Sequence, residues 1–115
     1  MVKAVTMERT AFDTPYRGGF VGAAHRFALS VYFEDTDTAQ IVYYANYLKY
    51  MERARSDMLR AIGVDQRAAL DAGDGVYAVA DVAISYKRPA RLGDDLVIVS
   101  SVETVRAATV AIHQQ

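Results

Sequence analysis

The chain lacks cysteine, and its charges nearly cancel. Its 115 residues contain 13 Lys and Arg against 14 Asp and Glu, which leaves a formal net charge of -1. Without thiols there is no disulfide framework, no thiol nucleophile and no thiolate metal site, which fits a reducing cytoplasm. So small a net charge gives no global field that would gather nucleic acid or an anionic membrane. We therefore expect a cytoplasmic protein whose partner is a small molecule and not nucleic acid.

Long apolar runs and several common catalytic motifs are also missing. No apolar segment reaches the roughly 20 residues that a membrane-spanning helix needs, and the N-terminus has no apolar run of signal-peptide length. The sequence contains no G-x-S-x-G, no phosphate-binding glycine loop and no H-E-x-x-H, and His25 and His113 are far apart. We expect no membrane span, no metal site and no cofactor.

The size of the chain indicates one small domain. Hydrophobic residues make up 52% of the sequence, which is enough for a core, but chains this short often bury more apolar surface against a partner chain. We therefore expect a homo-oligomer.

The pattern of apolar residues divides the chain into an arm and a domain. Residues 1–23 contain a Pro and several glycines between weakly patterned flanks, which predicts an irregular N-terminal arm. Residues 25–33 alternate as a strand does, with Phe33 at the end of the apolar face. Apolar residues then recur at three-and-four spacing over 47–62, which predicts a long helix, and Gly63 supplies a stop.

The second half of the chain predicts strands after a short helix. Residues 65–75 favour a short second helix that ends in a glycine-rich loop, and residues 76–90 favour a long strand broken at Pro89. Residues 94–105 and 107–115 favour two more strands. Their short connections favour antiparallel pairing, and one sheet wrapped around one helix is the economical packing. The sequence thus predicts an α+β domain over 24–115, which we expect to lack a further C-terminal strand.

Three carboxylates lie in the connection between the first predicted strand and the long predicted helix. They are Glu34, Asp35 and Asp37, in the stretch "VYFEDTDTAQIVYYANYLKYMERAR". The first turn of a helix exposes unpaired N–H groups that can bind a developing oxyanion, and a carboxylate beside it can attack a carbonyl or activate water. Asp and Thr before a helix are also common caps and turn formers. Spacing alone leaves both interpretations open.

The same stretch resembles the signature of a known enzyme family. "YFEDTDTAQIVYYANYLKYMERAR" is similar to hot-dog-fold acyl-CoA thioesterases of the 4-hydroxybenzoyl-CoA thioesterase type, and most similar to the bacterial branch of Tol-Pal system-associated acyl-CoA thioesterases. "ISYKRPARLGDDL" resembles a later strand-turn-strand of that family. The resemblance covers about residues 26–110 and implies a hot-dog fold that forms homodimers, and often homotetramers.

The resemblance also implies roles for individual residues. The second Asp of the D-x-D motif is Asp37, which the family uses as the nucleophile or as the general base for water. The backbone N–H that polarises the thioester carbonyl falls on Tyr44. Asp35 takes the first Asp position, where it forms the turn that holds the loop. Where the family usually has Gly, three residues after Asp37, this chain has Gln40; a positive φ there would cost about 1 kcal/mol or more.

Basic and aromatic residues are further candidates for substrate contacts. Lys87, Arg88 and Arg91 form a basic patch that could meet the phosphates of coenzyme A, although such a strand end is commonly a solvated edge. Arg106 lies near where relatives place nucleotide-contacting residues. Tyrosines at 43, 44, 47 and 50 could line an acyl tunnel, but helical spacing favours core or dimer contacts for Tyr47 and Tyr50.

Two functions remain open from the sequence. The first is an acyl-CoA thioesterase that uses Asp37 and the Tyr44 amide. The second is a non-catalytic hot-dog module that binds an acyl chain or acyl carrier protein. The intact D-x-D motif favours the enzyme, whereas Gln40 keeps the binding module open.

Overall fold

One antiparallel sheet and one long helix make up most of the ordered structure. The computed structural model describes residues 7–115. The strands are β1 (Gly19–Val21), β2 (Ala24–Ser30), β3 (Asp95–Val105) and β4 (Val110–Gln114), and they pair in chain order. All three neighbouring pairs are antiparallel. The predicted α+β class, with an antiparallel sheet and one long helix, is therefore confirmed.

The long helix α1 (Asn46–Ala61) lies close to its predicted position. Tyr50, Ala54 and Met58, at four-residue spacing, are buried, as expected for a helix that presents one apolar stripe to a core. Gly63 follows with a φ of 90°, a left-handed conformation that favours glycine after a helix. The predicted stop is confirmed.

The short helix α2 (Gln66–Asp71) is also confirmed, and it is capped. The Asp65 carboxylate accepts a hydrogen bond from the Ala68 N–H at 3.0 Å. Such a cap satisfies one of the unpaired N–H groups of a first helical turn.

The core lies between α1 and the sheet. Tyr50 and Ala54 of α1 and Ile98 of β3 are buried there, and Phe27 and Leu29 of β2 pack against them. The other buried members of the cluster are Val31, Val42 and Ala90. Because Val42 and Ala90 come from connecting segments, the core also anchors the loops around the entrance of α1.

The N-terminal arm is more regular than predicted. Residues 19–21 form β1, and Phe20 pairs with His25, so the expectation of an irregular segment is wrong there. The physical reason is Gly22, whose φ of 60° permits a tight two-residue hairpin. A glycine in an unpatterned stretch can thus form a hairpin turn as well as interrupt a strand. Residues 1–6 of the predicted arm lie outside the described residues.

The strand predicted over residues 76–90 is absent. The segment makes no ladder hydrogen bonds with the rest of the described chain. A strand requires a partner for its backbone N–H and C=O groups, and local alternation of side chains does not supply one. The exposed large apolar residues of the segment are Val76, Tyr77, Val79, Val82, Ile84 and Tyr86.

The remaining predicted strands are found with small shifts. β3 and β4 correspond to the two strands predicted after residue 93. The first predicted strand ends at Ser30, and a single 3-10 turn, Phe33–Asp35, follows it. Phe33 consequently points away from the core and is 76% exposed. Over residues 7–115, no helix is both long enough and apolar enough to cross a membrane.

Candidate active site

The D-x-D motif leads into a tight hairpin that comes directly before α1. Thr36 pairs with Val42 as an isolated bridge, and the Asp37 N–H donates to the Ile41 carbonyl at 2.9 Å. The chain therefore reverses between Asp37 and Ile41. The reversal keeps Asp37 on the short segment that leads into the helix.

Asp35 holds this segment in place. Its Oδ2 accepts the Tyr32 N–H at 2.9 Å. Its backbone carbonyl accepts the Tyr43 N–H at 2.9 Å and the Asn46 side-chain amide at 2.8 Å. Asp35 thus joins the 3-10 turn to the first residue of α1, which agrees with its predicted role as the turn former of the loop.

Only one of the two Asp37 carboxylate oxygens accepts a hydrogen bond from the described residues. Asp37 is exposed, and its Oδ1 accepts the Ala39 N–H at 2.8 Å. Its Oδ2 has no hydrogen-bond donor among residues 7–115. One bond orients the carboxylate, and the other oxygen is left for a substrate or a water molecule.

The entrance of α1 has no side-chain cap. Ala45 occupies the capping position and supplies no side-chain acceptor, in contrast to Asp65 at α2. The Asn46 N–H donates to the Tyr43 carbonyl at 2.8 Å, whereas the N–H groups of Tyr44 and Ala45 find no acceptor in the described part of the chain. Free N–H groups at a helix entrance are suited to bind an oxyanion.

The Tyr44 N–H is therefore available for the role that the resemblance implies. The Ala45 N–H is a second free donor that the sequence reasoning missed. The signal was present, because alanine precedes the helix where Ser, Thr, Asp or Asn is usual. An entrance without a side-chain cap leaves these N–H groups available to a ligand or to water.

Aromatic side chains surround this entrance. The Tyr86 hydroxyl donates to the Tyr44 carbonyl at 3.3 Å, and its ring lies 6.2 Å from the Tyr44 ring and 5.7 Å from the Tyr47 ring, centroid to centroid. The Tyr47 hydroxyl accepts the Ala90 N–H at 2.9 Å. Tyr47 is thus a packed residue, as predicted, while Tyr44 is 61% exposed.

Tyr50 lies beneath the loop, in the core, as predicted. It is only 2% exposed, and its hydroxyl has no hydrogen-bond partner among the described residues. Burial, together with the neighbouring Asp35 carboxylate, raises the pKa of Tyr50. The hydroxyl is therefore neutral and takes no part as a phenolate.

The predicted basic residues separate into two groups. Lys87 and Arg88 are exposed and directly follow Tyr86, which contacts Tyr44. Arg91 pairs with Ile41 in an isolated bridge, so it too lies beside the D-x-D hairpin. These three cations are near the helix entrance.

Arg106 lies elsewhere within the chain. It follows the 11-residue strand β3, whereas the D-x-D hairpin adjoins residues 90–92 before that strand begins. A strand of that length extends roughly 36 Å at about 3.3 Å per residue. The structure does not bring Arg106 together with Asp37 of the same chain.

Gln40 has the unusual backbone that its position suggested. Its φ is 62°, and among residues 7–115 it is the one non-glycine residue with a positive φ. The conformation costs a non-glycine residue about 1 kcal/mol or more. The loop keeps the left-handed geometry despite the substitution.

Asp57, a buried carboxylate on α1, was not predicted to be important. Asp57 is 6% exposed; its Oδ2 accepts the Gly18 N–H at 3.0 Å and the His25 Nε2–H at 2.8 Å, and its Oδ1 accepts Arg60 at 3.1 Å. His25, a residue of β2, thus has a structural role that the sequence analysis did not assign to it. A contact 32 residues apart in the sequence leaves no local signal.

Comparison with known proteins identifies the family. The family model "Thioesterase superfamily" matches residues 39–115. The acyl-CoA thioesterase YbgC of Haemophilus influenzae is 37% identical over 89 residues, which are 77% of this chain and 65% of that protein. The acyl-CoA thioester hydrolase YbgC of Escherichia coli O6:H1 is 36% identical over 90 residues, 78% of this chain and 66% of that protein. The chain thus spans just under two thirds of these relatives.

A solved structure shows the same fold. The crystal structure of a probable thioesterase from Bartonella henselae superposes with a TM-score of 0.76 at 32% identity, and the match covers 80% of this chain and 77% of that one. The hot-dog fold that the resemblance implies is therefore confirmed. Because the family model covers residues 39–115, which are most of the chain, this chain belongs to the thioesterase superfamily.

Proposed function

We propose that this chain is an acyl-CoA thioesterase, which hydrolyses acyl-CoA thioesters to the free acid and coenzyme A. One observation carries the proposal. A carboxylate with an uncommitted oxygen, Asp37, lies on the short segment that leads to the unpartnered Tyr44 N–H at an uncapped helix entrance. Family membership and the curated relatives, which are named acyl-CoA thioesterases, support the same activity.

The site provides both parts of a thioester hydrolysis. The Tyr44 N–H, at the positive end of the helix dipole, stabilises the oxyanion that forms when the thioester carbonyl is attacked. Asp37 either attacks the carbonyl carbon, giving a mixed anhydride that water then cleaves, or removes a proton from the attacking water. In both routes the C–S bond breaks, and coenzyme A leaves as a thiolate that takes up a proton.

Basic residues are proposed to hold the phosphates of coenzyme A. Lys87 and Arg88 fit this role in the same subunit because they follow Tyr86 beside the helix entrance. Arg106 fits it only in an assembly that brings the β3–β4 turn of one subunit to the helix entrance of another. Exchange of Lys87 and Arg88 for alanine should raise KM for acyl-CoA more than it lowers kcat.

A homodimer or homotetramer is part of the proposal. The exposed apolar side chains of residues 76–86 support it, because apolar surface of this kind is typical of interaction sites. We place the substrate near the subunit boundary. Sedimentation at micromolar protein concentration tests the assembly, and a stable monomer would contradict it.

The second candidate is a module that holds an acyl chain or an acyl carrier protein without hydrolysis. The side chain of Gln40 favours it, since the loop next to Asp37 keeps the left-handed backbone but carries an amide where the family usually has glycine. We also propose a cytoplasmic location, which immunoblotting of separated cell fractions would test.

An assay of hydrolysis decides between the two candidates. It uses a panel of acyl-CoA thioesters of different chain length and measures the free thiol of the coenzyme A that is released. The wild-type protein should turn over at least one thioester, and Asp37→Asn should lower kcat by a factor on the order of 100 or more. Thr38→Ala, at an exposed position on the same hairpin, is the control and should retain wild-type rates. Tight binding of acyl-CoA without turnover would support the binding module.

A further inference from the structure

Gln40 combines strained backbone with a position beside the proposed catalytic carboxylate. Its φ is 62°, and left-handed backbone brings the Cβ of an ordinary residue too close to the following carbonyl. It lies three residues after Asp37. Residues that keep such a conformation are concentrated at functional sites, where the surrounding structure fixes them.

Hydrogen bonds on both sides fix this conformation. The Gln40 N–H donates to the Asp37 carbonyl at 3.0 Å, and the Gln40 carbonyl accepts the Leu92 N–H at 3.1 Å. A turn that closes with a left-handed residue is a known three-residue hairpin loop, and glycine is the usual residue at its last position. The backbone therefore requires a left-handed residue here, but it gives no reason for a long amide side chain.

The fold does not use that side chain either. Gln40 is exposed, and its amide makes no hydrogen bond with residues 7–115, whereas the amide of Gln114 bonds to both Met51 and Ser100. A free amide offers a donor and an acceptor together. Gln40 closes the same hairpin turn as Asp37, since its N–H donates to the Asp37 carbonyl.

We propose that Gln40 contacts the substrate, and that its side-chain amide hydrogen-bonds to the amide groups of the coenzyme A arm that lead to the thioester. The inference rests on the proposed thioesterase function and adds a substrate contact to it. Because this contact holds the substrate without taking part in bond making, its loss raises KM and leaves kcat nearly unchanged.

Three substitutions distinguish the effect of losing the Gln40 side-chain amide from the effect of relieving the left-handed backbone strain. Gln40→Gly removes the amide and relieves the left-handed strain, so Tm should rise by about 4 °C while KM rises about tenfold. Gln40→Ala removes the amide and keeps the strain, so KM should rise equally without the gain in Tm. Gln40→Asn keeps a shorter amide and tolerates positive φ, so KM should fall between wild type and Gln40→Ala.

Thr38→Ala is the matched control, because Thr38 is an exposed polar residue in the same turn; its KM and Tm should stay at wild-type values. A Gln40→Gly variant with raised Tm and unchanged KM across the acyl-CoA panel would show that the amide does not touch the substrate. Equal losses of kcat in all three variants would also overturn the inference, since they would indicate a disturbed loop.

The proposed Gln40 contact can also be tested if the protein does not hydrolyse acyl-CoA. Should the wild-type protein turn over no acyl-CoA, binding of a non-hydrolysable acyl-CoA thioether is measured by calorimetry instead. About tenfold weaker binding by Gln40→Ala than by wild type would support the Gln40 contact although the activity is absent. Equal affinities, or no binding by the wild-type protein, would overturn it.

Discussion

Two aspartates, one in the hairpin before α1 and one in the C-terminal half of α1, have opposite surroundings. Near the entrance, Asp37 is exposed and accepts one hydrogen bond, on the hairpin that leads to the unpartnered Tyr44 N–H. In the C-terminal half, Asp57 is buried and accepts three hydrogen bonds, from Gly18, His25 and Arg60. One carboxylate is left available for a ligand, and the other is saturated.

The difference shows how the surroundings decide what an aspartate does. A saturated, buried carboxylate fixes the segments that donate to it, here the N-terminal arm, β2 and the last turns of α1. A carboxylate with one orienting bond and one free oxygen can receive a proton or attack a carbonyl. Substitution should therefore affect stability at one end of the helix and turnover at the other.

The largest expected effect on stability is that of Asp57→Ala. Removing the carboxylate leaves the fully buried His25 ring without its acceptor and takes the partner from the exposed Arg60 guanidinium, and breaking a buried pair from one side costs about 3 kcal/mol or more. Urea unfolding measures it. The control is Asp65→Ala, which removes the exposed cap of α2 and should cost about 1 kcal/mol. Equal losses in the two variants would contradict the account.

Gly18→Ala should have the next largest effect on stability. A Cβ at Gly18 would lie 2.2 Å from the Arg26 carbonyl oxygen and 2.9 Å from Asp57 Oδ2, so the arm must move away and the free energy of unfolding should fall by about 2 kcal/mol. Gly19→Ala is the matched control, since a Cβ there meets nothing within 4 Å. If thermal melts show the two alanine variants to be equally stable, the arm is not held at Asp57.

Asp35→Asn should have a smaller effect, through order in the loop. The carboxylate oxygen bonded to the Tyr32 N–H becomes a neutral amide oxygen, which weakens a charge-assisted hydrogen bond by about 1 kcal/mol. The backbone carbonyl that accepts from Tyr43 and Asn46 is retained. Kinetics should show a drop in kcat much smaller than that of Asp37→Asn; an equal drop would assign Asp35 to the chemistry.

The smallest expected effect is a change in the pH dependence of stability when Asp57 is replaced by Asn. Burial raises the pKa of Asp57, but hydrogen bonds from Arg60, His25 and the Gly18 N–H outweigh burial and hold it below its usual range. A group with a lower pKa in the folded state stabilises the fold above its unfolded pKa of about 3.9, and this contribution is lost as the pH falls through the folded pKa. Urea midpoints should thus decline below about pH 4 in the wild-type protein, and less steeply in Asp57→Asn. Parallel curves would contradict this.

The elements that the sequence predicted correctly are those with strong local patterns. α1 shows its apolar stripe over four turns and a glycine after its end, and β3 alternates within 11 residues. The D-x-D motif predicted where the loop would be. In these cases the residues that decide the structure are close together in the chain.

The elements that the sequence missed depend on distant partners. Residues 76–90 alternate as a strand does, but the described chain provides no strand beside them. The paired role of His25 depends on Asp57 in another element, and the free Tyr44 and Ala45 N–H groups depend on how the first turn of α1 folds. Local periodicity carries no information about such pairings.

The central claim is that Asp37 serves the chemistry and Asp57 serves the fold, and one paired measurement tests it most directly. Both are changed to Asn, and kcat for acyl-CoA hydrolysis is measured together with Tm. Asp37→Asn should lose turnover by a factor on the order of 100 or more with Tm unchanged, and Asp57→Asn should lower Tm and retain most of kcat below its melting range. Wild-type turnover in a folded Asp37→Asn variant would contradict the account.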